Sequence, residues 1–356
     1  MKIGVVIHGP TIIDSGWAEK IIKMLKKLGE VKAKLGGTMG RVAVIDNNLE
    51  NLIDISEKIM PSESLKRLSE EADILFLLNY GKSKETGHTF GKIVVSRANI
   101  KKPVIQIERP GERDGSIIVW NYSEELNNIL EFLKEHLNLN IEKCSSKGLE
   151  VWEENNKVFR KVHGVSPGET ILVNGVVVGR AKEREVILVA EDGKIIDIIG
   201  GELKEEGVER LKNVDLNKAI IKTGILRKKA NKLRVKEGKD EGYVSIIDHA
   251  GEDCIEKAKD FVITIGDDTT QICGDILSRF GVKIIGVTDG DADKIIEEPK
   301  FTDGSVILLV KNVRDDHAGE ILKKNLKERK YKFDELVEEV EKIFKNYGIE
   351  YEKIKK

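Results

Sequence analysis

The chain opens on a short apolar run, Ile3–Ile7, closed by His8-Gly9-Pro10. Residues Ala18–Leu28 then bring Ile21, Ile22, Leu25 and Leu28 to one face at helical spacing, so the first unit reads strand, turn, amphipathic helix. The alternation continues. Val42–Ile45, Ile74–Leu78, Val104–Ile107 and Ile117–Trp120 are continuous apolar runs of strand length, and Leu49–Lys58, Ser62–Glu71 and Glu124–His136 carry helical spacing. Strands apolar on both faces and separated by helices predict a mostly parallel sheet, covered on both sides, over residues 1–140.

The pattern changes near Ile141–Gly148. Thr170–Val173, Val176–Val178, Glu185–Val189 and Lys194–Ile198 follow one another across Asn174-Gly175, Gly179 and Asp192-Gly193. Asn-Gly and Asp-Gly between apolar runs are hairpin signals, so residues 146–225 are expected to form a small β-rich domain, with a helix at Leu203–Leu211. The basic run Arg227–Lys239 reads as a linker or solvated helix. From Gly242 the α/β alternation resumes. Val244–Ile247, Phe261–Ile265, Lys283–Val287 and Val306–Val310 are strands, Gly251–Lys259, Thr270–Phe280 and Ala318–Glu328 are helices, and Lys332–Lys345 is a last amphipathic helix. The expected architecture is α/β: two Rossmann-like parallel-sheet domains, residues 1–140 and 242–356, flanking the β-rich one.

Composition adjusts this picture in three ways. A chain of 356 residues exceeds one ordinary core, and 40% hydrophobic content supports packed structure. Charged residues make up 34%, yet the net charge is −2, which provides no long-range field to gather nucleic acid or an anionic membrane. Cys144, Cys254 and Cys273 have neither disulfide-framework nor zinc spacing, no run approaches the roughly 20 apolar residues of a span, and Met1–Ile7 has no signal-peptide profile. A cytoplasmic protein is expected. Abundant Lys, Glu and Ile, with glutamine only at Gln106 and Gln271, suit a thermophilic source.

Candidate chemistry concentrates between Thr264 and Asp293. The strand Phe261–Ile265 runs into Gly266-Asp267-Asp268-Thr269-Thr270 and a helix, and the next strand ends in Thr288-Asp289-Gly290-Asp291-Ala292-Asp293. Ligands of α/β sheets bind beyond the carboxyl ends of the strands. Clustered carboxylates call for a compensating cation, and Mg²⁺, which takes few carboxylates plus phosphate oxygens, answers that need. Asp267, Asp268, Asp289, Asp291 and Asp293 are the candidate metal ligands, and Gly266, Thr269 and Thr270, at a helix start, are expected to hold phosphate.

These two strand ends resemble those of archaeal 6-hydroxymethyl-7,8-dihydropterin pyrophosphokinases, which share a fold with thiamine pyrophosphokinases. Gly-Asp-Asp stands here in place of Ala-Asp-Gly, and Asp-Gly-Asp in place of Asp-Leu-Asp. The resemblance covers about a tenth of the chain. It implies Mg²⁺- and nucleoside-triphosphate-dependent pyrophosphoryl transfer, with Asp267 as the first acidic position and Asp289 and Asp291 as metal ligands. Taken whole, the chain resembles an archaeal, methanogen-type family of uncharacterised proteins, and the His-Gly-Pro and Gly-Gly-Thr-Met-Gly-Arg segments share that resemblance.

Two rival readings stand beside this one. Asp289-x-Asp291-x-Asp293 also resembles the acidic triplet of a Toprim-like nucleic-acid domain, with Glu252, after Asp248-His249-Ala250-Gly251, as the candidate upstream glutamate, although the near-neutral charge disfavours nucleic acid. A non-catalytic ligand-binding or regulatory protein fits as well. The N-terminal loops offer a second phosphate cradle: His8-Gly9-Pro10-Thr11, Gly36-Gly37 leading to Arg41, and Asn79-Tyr80-Gly81-Lys82. Gly81-Lys82-Ser83 lacks the P-loop glycine, since residue 76 is Phe. His8, His88, His249 and His317 are placed on loops, with His249 and His317 nearest the acidic strand ends. The partner expected is a small phosphorylated ligand or nucleotide, with no membrane and with homo-oligomerisation left open. Any reaction would be a phosphoryl or pyrophosphoryl transfer.

Overall fold

Val5, Val6 and Ile7 are wholly shielded from solvent, as a central strand covered on both faces requires. The computed structural model describes residues 1–37, 39–211, 213–227, 233–249, 251–293 and 295–356, the side chain of Glu252 excepted. The described chain is mixed α/β, built on four sheets. None of its helices is long and apolar enough to cross a membrane.

The first sheet has the order β2-β1-β3-β4-β5-β6. Its strands are β1 (Lys2–His8), β2 (Glu30–Gly36), β3 (Ile74–Asn79), β4 (Val104–Glu108), β5 (Ser116–Trp120) and β6 (Asn140–Glu142). The first four run parallel and β5 turns back against β4. Six helices accompany it: α1 (Thr11–Asp14), α2 (Trp17–Leu25), α3 (Met39–Asp46), α4 (Pro61–Glu71), α5 (Lys84–Ala98) and α6 (Asn127–Leu137). Ile12, Ile21, Ile22 and Leu133 pack one face of the sheet, and Leu65, Leu68, Val94 and Ala98 pack the other.

Three expectations fail here. Val42–Ile45 is not a strand but the middle of α3, a helix whose residues are all buried. Leu49–Lys58 is not a helix. It is a turn and an extended stretch in which Asp54 bridges to Lys34, while Leu49 and Ile53 still enter the core. The fifteen-residue α5 carries too few apolar residues for its spacing to stand out, and it holds His88 in the interior rather than on a loop.

The middle of the chain folds into two four-stranded antiparallel sheets. The strands are β7 (Val151–Glu154), β8 (Lys157–Val162), β9 (Thr170–Val173), β10 (Val176–Ala181), β11 (Val186–Glu191), β12 (Lys194–Ile199), β13 (Gly201–Leu203) and β14 (Ile221–Thr223), with one helix, α7 (Glu205–Arg210). The orders are β13-β10-β9-β14 and β12-β11-β8-β7, and Ile171, Val178, Leu188 and Ile198 fill the core between them. The hairpins fall where the dipeptides place them. Asn174 and Gly175 have φ of 50° and 85°, and Asp192 and Gly193 have 49° and 75°, the positive values a two-residue hairpin of this type needs.

The last sheet has the order β19-β15-β16-β17-β18-β20. Its strands are β15 (Glu241–Asp248), β16 (Phe261–Ile265), β17 (Lys283–Thr288), β18 (Val306–Val310), β19 (Lys330–Lys332) and β20 (Tyr351–Lys355). β15 to β18 run parallel, and antiparallel strands close both edges. Its helices are α8 (Cys254–Lys257), α9 (Asp267–Leu277), α10 (Asp315–Asn325) and α11 (Phe333–Asn346). Ile272 and Ile276 pack on Val262 and Ile284, while Leu322, Leu336 and Val340 pack on the opposite face with Ile263 and Leu308.

The three regions share interior. Met39 and Val42 of α3, Leu172 and Val177 of the middle sheets, and Ile272 and Ile276 of α9 belong to one apolar cluster. Beside it lies a buried charge knot. The wholly shielded Asp46 carboxylate accepts from Arg227 at 2.8 Å and from Arg279 at 3.0 Å, and Arg227 also reaches Asp14 at 2.9 Å. Burial pushes the Asp46 carboxyl up, but the hydrogen bonds from Arg279 and Arg227 outweigh it and hold the group below its usual range. Arg227 therefore does not begin a solvated linker, as its place in a basic run suggested. The remainder of that expectation includes residues 228–232, which lie outside the described residues.

Candidate functional site

All four parallel strands of the last sheet deliver polar groups to its carboxyl edge. β15 ends in Asp248 and β17 in Thr288, while Gly266 follows β16 and Arg314-Asp315 follows β18. Gly266 has φ of 104°, a conformation that residues with a side chain rarely adopt, and it turns β16 directly into α9. That places Asp267 and Asp268 in the first helical turn. Asp267 Oδ2 accepts the backbone N–H groups of Asp289 and Gly290, each at 3.0 Å, and Asp268 Oδ1 accepts the N–H of Asp293 at 3.0 Å. The two acidic strand ends are thus sewn together.

The result is a carboxylate cluster. Asp267, Asp289 and Asp291 each place an oxygen within 4.8 Å of the others. Asp289 Oδ1 is shielded from solvent and has no hydrogen-bond partner. Burial, then the charges of Asp291 and Asp267, push the Asp289 carboxyl above its usual range. Asp268 is raised to about 7 by burial and then by Asp293, and Asp315 to about 7 by burial, Asp289 and Asp316. Three carboxylates, one from the first turn of α9 and two from the loop after β17, form a set of hard oxygen donors.

A second group, Asp248, His249 and Asp316, brings its donor atoms within 4.8 Å of one another. It is largely compensated by the chain itself. Asp248 is bonded by His249 and Lys323, and Asp316 Oδ2 accepts from Arg210 at 3.0 Å. Burial raises the Asp248 carboxyl, but those two partners outweigh it and bring it to about 2.

The opposing charge arrives from the middle of the chain, which no sequence signal pointed to. Lys204, just after β13, sits 2.7 Å from Asp293 and 3.4 Å from Asp291. Arg180 of β10 lies 3.4 Å from Asp293, and Glu206 of α7 pairs with Arg314 at 2.6 Å. Burial lowers the Lys204 ammonium pKa, but Asp293 first, then Asp291 and Asp268, raise it above its usual range.

The other expected site residues fall as follows. Thr270 is buried, its hydroxyl lies 2.7 Å from that of Thr264, and its N–H donates to the Gly266 carbonyl. Thr269 is also buried. The N–H groups that the start of α9 leaves without a helical partner are those of Asp267, Asp268 and Thr269. Gly36 and Gly37 stand at the end of β2, on the other six-stranded sheet. Arg41 and Lys82, expected to add charge to a phosphate cradle, instead join regions: Arg41 bonds Glu256, and Lys82 bonds Glu169 and Thr223 at 2.7 to 2.9 Å. His317 is exposed. Thr38, Ala250 and the Glu252 side chain lie outside the described residues.

Sequence comparison agrees with the archaeal character expected. A family model described as "Uncharacterized protein conserved in archaea (DUF2117)" matches residues 5–330. An uncharacterized protein of Methanocaldococcus jannaschii, MJ0065, is 66% identical over 360 residues, covering 99% of each chain. Neither description names an activity.

Proposed function

The chain belongs to this family of uncharacterized proteins conserved in archaea, and from that premise we propose that its C-terminal acidic edge is a divalent-cation site for a phosphorylated ligand or nucleotide. The observation that carries the reading is the convergence of Asp267, Asp289 and Asp291 within 4.8 Å, with Asp289 Oδ1 shielded and unpartnered. A hard cation such as Mg²⁺ fits these donors. Once bound, it would neutralise charge on phosphate oxygens.

The chain's own groups do the rest. Asp267 has one oxygen engaged by two backbone N–H groups, which fixes the carboxylate and leaves its other oxygen for the cation. The N–H groups of Asp267–Thr269 suit an anion at the start of α9. Lys204 and Arg210 supply positive charge from the facing helix and its flank. A site of this kind serves phosphoryl or pyrophosphoryl transfer, which depends on positioning and charge compensation more than on a covalent nucleophile.

Calorimetric titration with Mg²⁺-ATP tests the reading. Wild type should bind, and Asp289→Asn should bind at least about tenfold more weakly, a loss of roughly 1.4 kcal/mol. Equal heats for the two proteins, or no heat with wild type, overturn it.

A further inference from the structure

The first sheet holds an arrangement that the acidic edge does not use. Its strand order runs from β1 outward to β2 and then back across to β3, so the winding direction reverses between β1 and β3. Loops leaving the carboxyl ends of such a pair diverge and open a crevice, the usual ligand position in doubly wound sheets. β15 to β18 follow one another in sequence order and contain no such reversal.

At this point β1 ends in His8 and β3 in Asn79, with His8 Nδ1 2.8 Å from Asn79 Oδ1. Behind them stands Glu108, fully buried, whose oxygens accept from Asn79 Nδ2 at 2.8 and 3.1 Å, from the Gly81 N–H at 2.7 Å and from Gln106 Nε2 at 2.9 Å. These contacts fix the polarity of the chain of bonds. Glu108 meets only donors, so the Asn79 amide nitrogen faces it and the Asn79 oxygen faces His8. The His8 Nδ1 must then carry the proton, which leaves a lone pair on Nε2. Nε2 has no partner among the described residues. The ring is held flat against Phe90, with centroids 4.0 Å apart and planes 17° apart.

This relay is built at a cost. A buried carboxylate is expensive. The helix beside it is also notched to admit it: a Cβ on Gly87 would lie 2.1 Å from Glu108 Cδ, and one on Gly91 would lie 1.8 Å from Gln106 Oε1. A strand end that only terminates a sheet needs none of these features. Burial lowers the His8 pKa to about 4, with Asn79 opposing and the Lys222 charge adding to the fall, so the ring is neutral near pH 7.

We propose that the crevice between β1 and β3 is a second small-molecule site, in which His8 Nε2 accepts a hydrogen bond from a hydroxyl of a sugar-like ligand. A lone pair repels a bare carboxylate or phosphate oxygen, and the nearby Lys222 charge disfavours an ammonium. A neutral hydroxyl donor is compatible with both.

The test is ¹⁵N NMR of the full chain, labelled at its six histidines and treated with EDTA, titrated with ribose and with adenosine. Inorganic phosphate serves as the anion control. The expected result is a His8 ring protonated on Nδ1 alone from pH 5 to 8. Its Nε2 resonance moves saturably with ribose or adenosine and not with phosphate, and Asn79→Ala abolishes the movement. A proton on Nε2, titration near the ordinary histidine value, no saturable movement with either hydroxylated probe, or movement with phosphate alone would each overturn the assignment. If Asn79→Ala does not fold, the wild-type titration still decides.

Discussion

The Lys204 ammonium lies 2.7 Å from the Asp293 carboxylate, joining the end of a short antiparallel strand to the acidic edge of a sheet 89 residues further along the chain. The same ammonium is 3.4 Å from Asp291, a proposed cation ligand. It therefore competes with a bare cation but cooperates with a bound phosphate. Lys204→Met should tighten Mg²⁺ alone and weaken Mg²⁺-ATP, each by a few-fold, since a partly exposed charge of this kind contributes about 1 kcal/mol or less. Paired calorimetric titrations check the opposite signs. Shifts in the same direction would show that Lys204 only braces the fold.

Asp46 holds the N-terminal and C-terminal sheets together through Arg227 and Arg279. Removing one member of a buried ion network leaves uncompensated charge, at a cost of about 3 kcal/mol or more. Asp46→Ala should lower the urea midpoint accordingly, with the slope of the transition unchanged. An unshifted midpoint would mean that water relieves both guanidinium groups.

The Asp248 carboxyl, held at about 2 against a usual 3.8, makes stability depend on acid. Its folded pKa lies below the unfolded value. The contribution is therefore complete above about pH 4 and is lost as pH falls through about 2. Asp248→Asn should be less stable than wild type at neutral pH, with the difference closing across that acid window. Melting temperatures of the two proteins between pH 2 and 7 measure it, and a difference independent of pH would refute the account.

Gly87 permits the buried Glu108, since a Cβ there would lie 2.1 Å from Glu108 Cδ. Although alanine favours helices, Gly87→Ala should destabilise by about 1–3 kcal/mol through overpacking. Thermal unfolding of the variant checks this, and Gly87→Ala combined with Glu108→Ala should recover part of the loss.

Legibility followed the locality of the signal. Asn174-Gly175 and Asp192-Gly193 announced their hairpins because the turn conformation is a property of those residues alone. The acidic strand ends were legible for the same reason, being two contiguous segments. Val42–Ile45 misled because a short, fully buried helix has no polar face, and its apolar run reads equally as a strand. The helix Lys84–Ala98 was hidden by its own polar burial: Gly87 and Gly91 make room for Glu108 and Gln106, and His88 and Thr89 point inward where apolar residues would have marked a face. Lys204, Arg180 and Arg227 gave no warning, because their partners lie 89 to 213 residues away and pairing at that distance follows from the tertiary fold.

The sheet ordered β13-β10-β9-β14 touches one carboxyl edge through Lys204 beside β13 and the other through Thr223 in β14. Four strands span three inter-strand gaps, so the sheet acts as a ruler of roughly 14 Å between those anchor points. Reacting atoms must approach to about 3–3.5 Å. With their anchor points that far apart, the two proposed sites, the histidine crevice and the acidic edge, would act on different bonds. A compound engaging both proposed sites would have to be an elongated one lying across the ruler.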